Sequence, residues 1–218
     1  MSSNKFYTKR EERANYITHA IGVIISIIAS YFLIRKGYLA ANTQAIIAYA
    51  LFGTGMVSCM LASTIYHFEN RPKQKSKLRH FDHASIYLLI AASYSPFTFI
   101  LLWDKGKWGV VLFSLVWIIA VIGIIISFRP LKKNSHIKTL SYVLMGMVVF
   151  IAFNPLITAA VAANCMNVIY WLVAGGLFYV IGAVIYATAK REFIHAVFHI
   201  FVLFGLLSHI ISAYLIPL

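Results

Sequence analysis

Charged residues are scarce in this chain of 218 residues: they make up 11% of the sequence, while 61% of the residues are hydrophobic. In a soluble domain, about a quarter of the residues are charged. The scarcity therefore excludes a soluble globular protein, and the chain is predicted to be an integral membrane protein.

Cysteine is almost absent, with two residues in the whole chain. Cys59 lies within an apolar run and Cys165 in a loop predicted on the outer side, so the pair gives no disulfide framework. The sequence also lacks an internal repeat, a low-complexity tract and a small-residue cleavage pattern after its first apolar run. We therefore expect no cleaved signal peptide.

Long apolar runs are what the sequence has in abundance. Seven of them reach the roughly 17 to 25 residues that a helix needs to cross the hydrocarbon core of a bilayer. They cover residues 17–34, 43–68, 82–103, 108–128, 139–162, 168–189 and 193–217. The sequence predicts an all-α fold, a seven-transmembrane helix bundle that forms one integral membrane domain over residues 1–218.

Acidic residues are few, six against nineteen basic residues, which gives a net charge of +13. The basic residues that fall on one predicted side of the membrane are Lys5, Lys9, Arg10, Arg13, Arg71, Lys73, Lys75, Lys77, Arg79, Arg129, Lys132, Lys133, Lys138, Lys190 and Arg191. The other side holds Arg35, Lys36, Lys105 and Lys107. By the positive-inside rule, this bias predicts a cytoplasmic amino terminus and an extracellular carboxyl terminus.

The same bias accounts for the basic charge without nucleic acid, so membrane lipids are the predicted partners. The basic loop after the second apolar run is read as a solvated connector, and no chemistry is assigned to it.

Two histidines open the last apolar run. His195 and His199 are four residues apart and share one helical face, so both imidazoles can bind the same metal ion. A histidine pair on an apolar helix is also often only a pair of satisfied polar residues. Alternating helix direction brings His19, His67 and Asp82 to the same membrane surface as this pair, which favours the metal site.

Three neutral histidines are a typical ligand set for catalytic zinc, with the fourth position left for water or substrate. We therefore predict zinc at His67, His195 and His199. Asp82 would orient or deprotonate the water, and Ser63 would hold it or stabilise oxyanion charge. Two alternatives stay open: an aspartate at a helix start is often an N-cap, and a structural zinc would use the same residues.

Glu12, Asn15 and His19 lie on one stripe of the first helix. An ionisable side chain that faces lipid is costly, so we expect His19 to face the interior and to support the site. Glu12 fits a supporting role and a role as a residue solvated by headgroups about equally well.

Together these motifs resemble the bacterial haemolysin III family. In chain order they are Glu12-x-x-Asn15-x-x-Thr18-His19, Ser63-x-x-x-His67, Asp82-His83 and His195-x-x-x-His199. That family is a branch of the progestin and adipoQ receptor superfamily and is similar to the alkaline ceramidase-like membrane hydrolases. The resemblance implies zinc near the cytoplasmic face, held by the three histidines named above, with Asp82 and Ser63 close to a bound water and His83 in support.

These features predict a multi-pass protein of the bacterial plasma membrane that hydrolyses, or senses, a lipid with an amide or ester bond. One alternative is a pore-forming cytolysin, the role in the family's name. A secreted pore former must first be soluble, and the composition argues against that. The other alternative is a receptor-like membrane regulator with a structural zinc.

Overall fold

A computed structural model describes residues 7–129, 137–189 and 191–218 of the chain. Within these ranges the chain is helical and forms no β-strand. Four of the basic residues used to orient the chain lie outside them: Lys5, Lys132, Lys133 and Lys190.

Eight α-helices form the described part of the chain. They are α1 (Lys9–Leu39), α2 (Thr43–Phe68), α3 (Pro72–Pro96), α4 (Trp108–Ser127), α5 (Ile137–Gly146), α6 (Phe153–Ala162), α7 (Met166–Thr188) and α8 (Ile194–Leu215). A π-helical segment, Phe97–Leu101, extends α3, and a 3₁₀ segment, Met147–Ala152, joins α5 to α6. When α3 is joined to its π-helical segment and α5 is joined to α6, the described residues contain seven helical segments that are long and apolar enough to cross a membrane. The predicted all-α, seven-span fold is confirmed.

Two helices begin well before the apolar runs that predicted them. At the start of α1, the Thr8 hydroxyl accepts the Glu11 N–H at 3.2 Å, and the Glu11 carboxylate accepts the Thr8 N–H at 2.8 Å. This capping box satisfies two amides that the first turn leaves without partners. Helix α3 begins at Pro72, a residue favoured at the first helical position because its fixed φ suits a helix and it has no N–H to satisfy. Polar residues near these starts therefore lie on rigid helices.

Helices α1 to α4 pack as sequential neighbours, and so do α6 to α8. Helix α5 packs against α3 and α7, and α8 returns to lie against α1. Small residues let them approach closely: a Cβ on Gly55 of α2 would overlap the Ala92 side chain of α3. Large apolar side chains such as Ile24, Ile118 and Phe150 are exposed, and they would face lipid. One end of the bundle carries the first residues of α1, α3, α5 and α8 and the last residues of α2. We call this end the N-terminal face.

Candidate metal centre

Three histidines meet at the N-terminal face. His67 lies in the last turn of α2, and His195 and His199 lie in the first turns of α8. The His195 Nε2 atom is 3.1 Å from His67 Nε2 and 3.0 Å from His199 Nε2. His67 and His199 are 1% and 2% exposed. These are the three histidines predicted as ligands, and together they could hold a metal ion.

In His67 and His199, hydrogen bonds at Nδ1 decide which ring nitrogen carries the proton. The Nδ1–H of His67 donates to the Glu12 carboxylate, with Oε2 at 2.7 Å. The Nδ1–H of His199 donates to the Asn15 carbonyl and the Thr18 hydroxyl, both at 3.2 Å. Each neutral ring therefore presents a lone pair at Nε2 towards the centre.

The spacing of the Nε2 atoms fits a metal ion. Converging lone pairs repel one another, and a proton on His195 Nε2 could satisfy only one of its two neighbours. Tetrahedral zinc with Zn–N distances of about 2.0–2.1 Å places its donor atoms about 3.3 Å apart. The two Nε2 separations of 3.1 and 3.0 Å are close to that value, so the donor set and its tautomers suit a metal ion of the zinc type.

Glu12 connects the histidines to a lysine. Its Oε1 atom forms an ion pair with Lys75 Nζ at 2.9 Å. Lys75 also donates to the Tyr66 and Glu69 carbonyls at 3.1 and 3.0 Å, at the carboxyl end of α2. One carboxylate thus serves both His67 and Lys75. From the sequence, this basic segment is assigned no chemistry, because lysines near a membrane surface carry no motif that separates a structural ion pair from solvated charge.

His195 is held by aromatic packing. The Tyr7 ring stacks on it with centroids 5.0 Å apart and planes 25° apart, and the Tyr186 ring lies 5.1 Å away. Burial raises the pKa of the Tyr7 hydroxyl, and the nearby Tyr186 adds to that rise, so the hydroxyl stays protonated. His195 Nδ1 has no hydrogen-bond partner among the described residues. Neither tyrosine is predicted from the sequence, because the two are far apart in the chain and belong to no spaced motif.

Asp82 lies beside the three histidines. Ser63, 3% exposed and one turn before His67, lies within electrostatic reach of the Asp82 carboxylate, and so does His67. Asp82 lies inside α3, whose N-cap is Arg71. The N-cap alternative for Asp82 is therefore wrong, because α3 begins earlier than the apolar run indicated.

The other predicted supporting residues take different positions. His19 stacks on His199 at a centroid distance of 3.6 Å but is not one of the three convergent histidines. Asn15 is fully buried, and its backbone carbonyl accepts the hydrogen bond from His199 Nδ1–H. Its amide is 3.5 Å from the His67 ring nitrogen, at the outer limit for a hydrogen bond. The His83 ring faces Arg79, with 3.4 Å between Arg79 Nε and His83 Nε2, so it lies next to the histidine group and outside it.

Comparison with known proteins finds relatives over most of the chain. The profile of the family described as Haemolysin-III related matches residues 7–210. The chain is 36% identical over 196 residues to the Bacillus cereus protein named Hemolysin-3, a match that covers 90% of this chain and 87% of the relative. It is 37% identical over 199 residues to the Hemolysin-3 homolog of Bacillus subtilis (strain 168), with 91% of each chain covered.

A more distant similarity reaches eukaryotic receptors. The chain is 24% identical over 220 residues to the Adiponectin receptor protein of Drosophila melanogaster, covering 91% of this chain and 49% of the receptor. The family profile spans every helix that contributes to the three-histidine group and to Asp82. This chain belongs to the Haemolysin-III related family and is a multi-pass protein of the bacterial plasma membrane.

Proposed function

We propose that this protein is a zinc-dependent hydrolase that cleaves amide or ester bonds of membrane lipids. The observation that carries the proposal is the convergence of three Nε2 atoms, two of them on rings whose Nδ1 protons are committed to Glu12 and to Asn15. Three imidazoles with one open position are typical of catalytic zinc. A zinc ion in this group would supply Lewis-acid activation of a water molecule and of a carbonyl oxygen.

The proton transfers fall to the Asp82 carboxylate. As water adds to the carbonyl carbon, Asp82 takes up one of its protons as general base. When the C–N or C–O bond breaks, Asp82 returns that proton to the leaving nitrogen or oxygen. Ser63, which lies next to this carboxylate, would hold it in position for both transfers.

The setting suits a lipid substrate. The histidines lie near the ends of α2 and α8, at the depth where a bilayer changes from hydrocarbon to headgroups. In many lipids the amide or ester bonds lie at this depth. The bias of basic residues supports a cytoplasmic position for the N-terminal face, so the substrate would come from the inner leaflet.

The test compares Asp82→Asn with Asp104→Asn. Asp104 is exposed in the loop after the π-helical segment, at the opposite end of the bundle, and gives a control with the same chemical change. Each full-length variant is placed in nanodiscs of bacterial lipid extract, and released fatty acids are measured by mass spectrometry beside the metal content. We expect Asp82→Asn to abolish release while about one zinc ion per chain is retained, and Asp104→Asn to match the wild type. A wild-type protein with full zinc and no fatty-acid release would contradict the hydrolase.

A structural zinc is the second proposal, favoured by ligands that come from two crossings, α2 and α8. Removal of the ion would then lower the melting temperature, and any lipid turnover would be lost only because the fold is lost. If the metal and the activity were both lost in Asp82→Asn, the result would favour this role.

Cytolysis is the third proposal, favoured only by the names of the two Bacillus relatives. Purified protein added from outside should then release dye from liposomes. The absence of release at every dose would remove this proposal.

A further inference from the structure

Two helices bring basic side chains together beside the metal centre. Arg79 and His83 are four residues apart on α3, with 3.4 Å between Arg79 Nε and His83 Nε2. Lys138 lies in the first turn of α5. The charges of Lys138 and Arg79 both act on His83, and Arg79 and Lys138 act on each other. We call Arg79, His83 and Lys138 the α3–α5 basic cluster.

Packing between α3 and α5 fixes this cluster. The Tyr142 hydroxyl of α5 donates to the His83 carbonyl at 3.2 Å, and the Tyr87 hydroxyl of α3 is 2.7 Å from the Ser141 hydroxyl. Tyr142 follows Lys138 by four residues, so the two lie on the same face of α5. The bond that joins the helices at Tyr142 therefore turns Lys138 towards α3.

Within the described residues, no carboxylate forms a salt bridge with the cluster. In the parts of the chain that the structure describes, the ion pairs join Glu12 to His67 and Lys75, and Glu69 to Arg71. Asp82 is affected by the Arg79 charge but forms no ion pair with it at salt-bridge distance. Like charges that face each other without a counter-ion repel, so an anion between them would be stabilised.

His83 adds a hydrogen-bond donor without an acceptor. Because Arg79 Nε donates to His83 Nε2, the proton of the neutral ring lies on Nδ1. That Nδ1 atom is buried and has no partner among the residues described. Buried donors are rarely left without a partner, because each one costs free energy. An oxyanion held by Arg79 and Lys138 would supply the missing acceptor.

The depth of the cluster indicates where such an anion would come from. His80, one residue after Arg79, donates from Nδ1 to the carbonyl of Ser127, the last residue of α4, at 2.7 Å. Lys138 is the first residue of the fifth membrane span. The cluster therefore lies where one crossing ends and another begins, at headgroup depth. Phe81 and Phe128, which are 55% and 47% exposed, provide an apolar surface for acyl chains at the same level.

We propose that Arg79, His83 and Lys138 bind the phosphate group of an anionic phospholipid in the leaflet at the N-terminal face. Arginine offers paired N–H donors that match two phosphate oxygens, and lysine adds a point charge. His83 Nδ1 donates to a further oxygen. The site holds a lipid beside Asp82 without requiring that this lipid be cleaved, so it stands independently of the hydrolase proposal.

The experiment measures lipid binding to the full-length protein in detergent by native mass spectrometry. The probes are phosphatidylglycerol, phosphatidylcholine with the same acyl chains, and inorganic phosphate. The double variant Arg79→Gln/Lys138→Gln is compared with Lys73→Gln/Lys77→Gln, which removes the same charge from exposed positions on α3. Melting temperature and elution volume establish that each variant is folded.

We expect the wild type to prefer phosphatidylglycerol, and the cluster variant to bind it about tenfold more weakly with no change for phosphatidylcholine. The control variant should keep most of the affinity, and His83→Phe should lose part of it. Equal losses in the cluster and control variants would overturn the proposal, because only general attraction to a basic surface would remain. The proposal would also be overturned if the wild type bound both lipids equally well, or if it bound inorganic phosphate and neither lipid. If the double variant fails to fold, the single variants Arg79→Gln and Lys138→Gln, with Lys77→Gln as control, decide in the same way.

Discussion

Replacing Glu12 with glutamine tests how the candidate centre is organised. The Glu12 carboxylate accepts the Nδ1–H of His67 at 2.7 Å, and the two side chains are 13% and 0% exposed. A carboxylate in this position fixes the tautomer of a ligating imidazole and raises its basicity. Loss of such a partner typically lowers metal affinity 10- to 100-fold, or about 1.4 to 2.8 kcal/mol.

The substitution separates charge from hydrogen bonding. In Glu12→Gln the side-chain oxygen can still accept the His67 proton, but the negative charge is gone, so we expect zinc affinity to fall about tenfold. In Glu12→Ala both are lost, and the fall should approach about a hundredfold. The assay is a competitive titration of detergent-solubilised full-length protein against a fluorescent zinc chelator.

The control is Glu69→Gln. Glu69 pairs with Arg71 at the exposed end of α2, and the Arg71 guanidinium lowers the pKa of Glu69 to about 2. The control thus removes the same charge near His67 without touching its ring. Unchanged affinity in Glu12→Gln, or an equal fall in Glu69→Gln, would refute the reasoning.

Three further predictions concern the ligands, the aromatic cover and the packing of α8. His195→Ala should lose most of its bound zinc while His209→Ala, which removes a buried histidine of the same helix, keeps it; full occupancy in His195→Ala by elemental analysis would show that the ligand is wrong. Tyr7→Ala should speed the loss of zinc to a chelator about tenfold because water gains access to the centre, whereas Tyr7→Phe keeps the ring stack and should exchange at nearly the wild-type rate. Gly175→Ala should destabilise the fold by about 1–3 kcal/mol, since its Cβ would overlap the His209 ring, while Gly176→Ala meets no atom within 4 Å; equal melting temperatures would contradict the packing.

The sequence predicted the features that depend on hydropathy and on helix direction. Runs of about twenty apolar residues can cross a bilayer only as helices, so the seven spans followed from composition. The alternation of those spans placed His67 at the same end of the bundle as His195 and His199. The four-residue spacing of the last two then gave them a common face.

The sequence did not reveal contacts made by residues without a periodic pattern. Charged first turns concealed the true starts of α1 and α3, which left Asp82 open to the N-cap interpretation. Lys75 reaches Glu12 only because α3 begins at Pro72. Tyr7 lies on His195 because the capping box of α1 and a hydrogen bond from the Phe193 N–H to Glu11, at 3.1 Å, hold the start of α1 against α8. Tertiary contacts of this kind follow from packing and leave no local signal.

The most direct measurement of the central claim is X-ray absorption spectroscopy at the zinc edge, with elemental analysis, on the purified full-length protein and on His67→Ala. We expect about one zinc ion per chain, with three histidine nitrogens at about 2.0–2.1 Å in the wild type. In His67→Ala any remaining zinc should have one histidine ligand fewer. Protein that binds no zinc when supplied with it, or an unchanged histidine count in His67→Ala, would contradict the account.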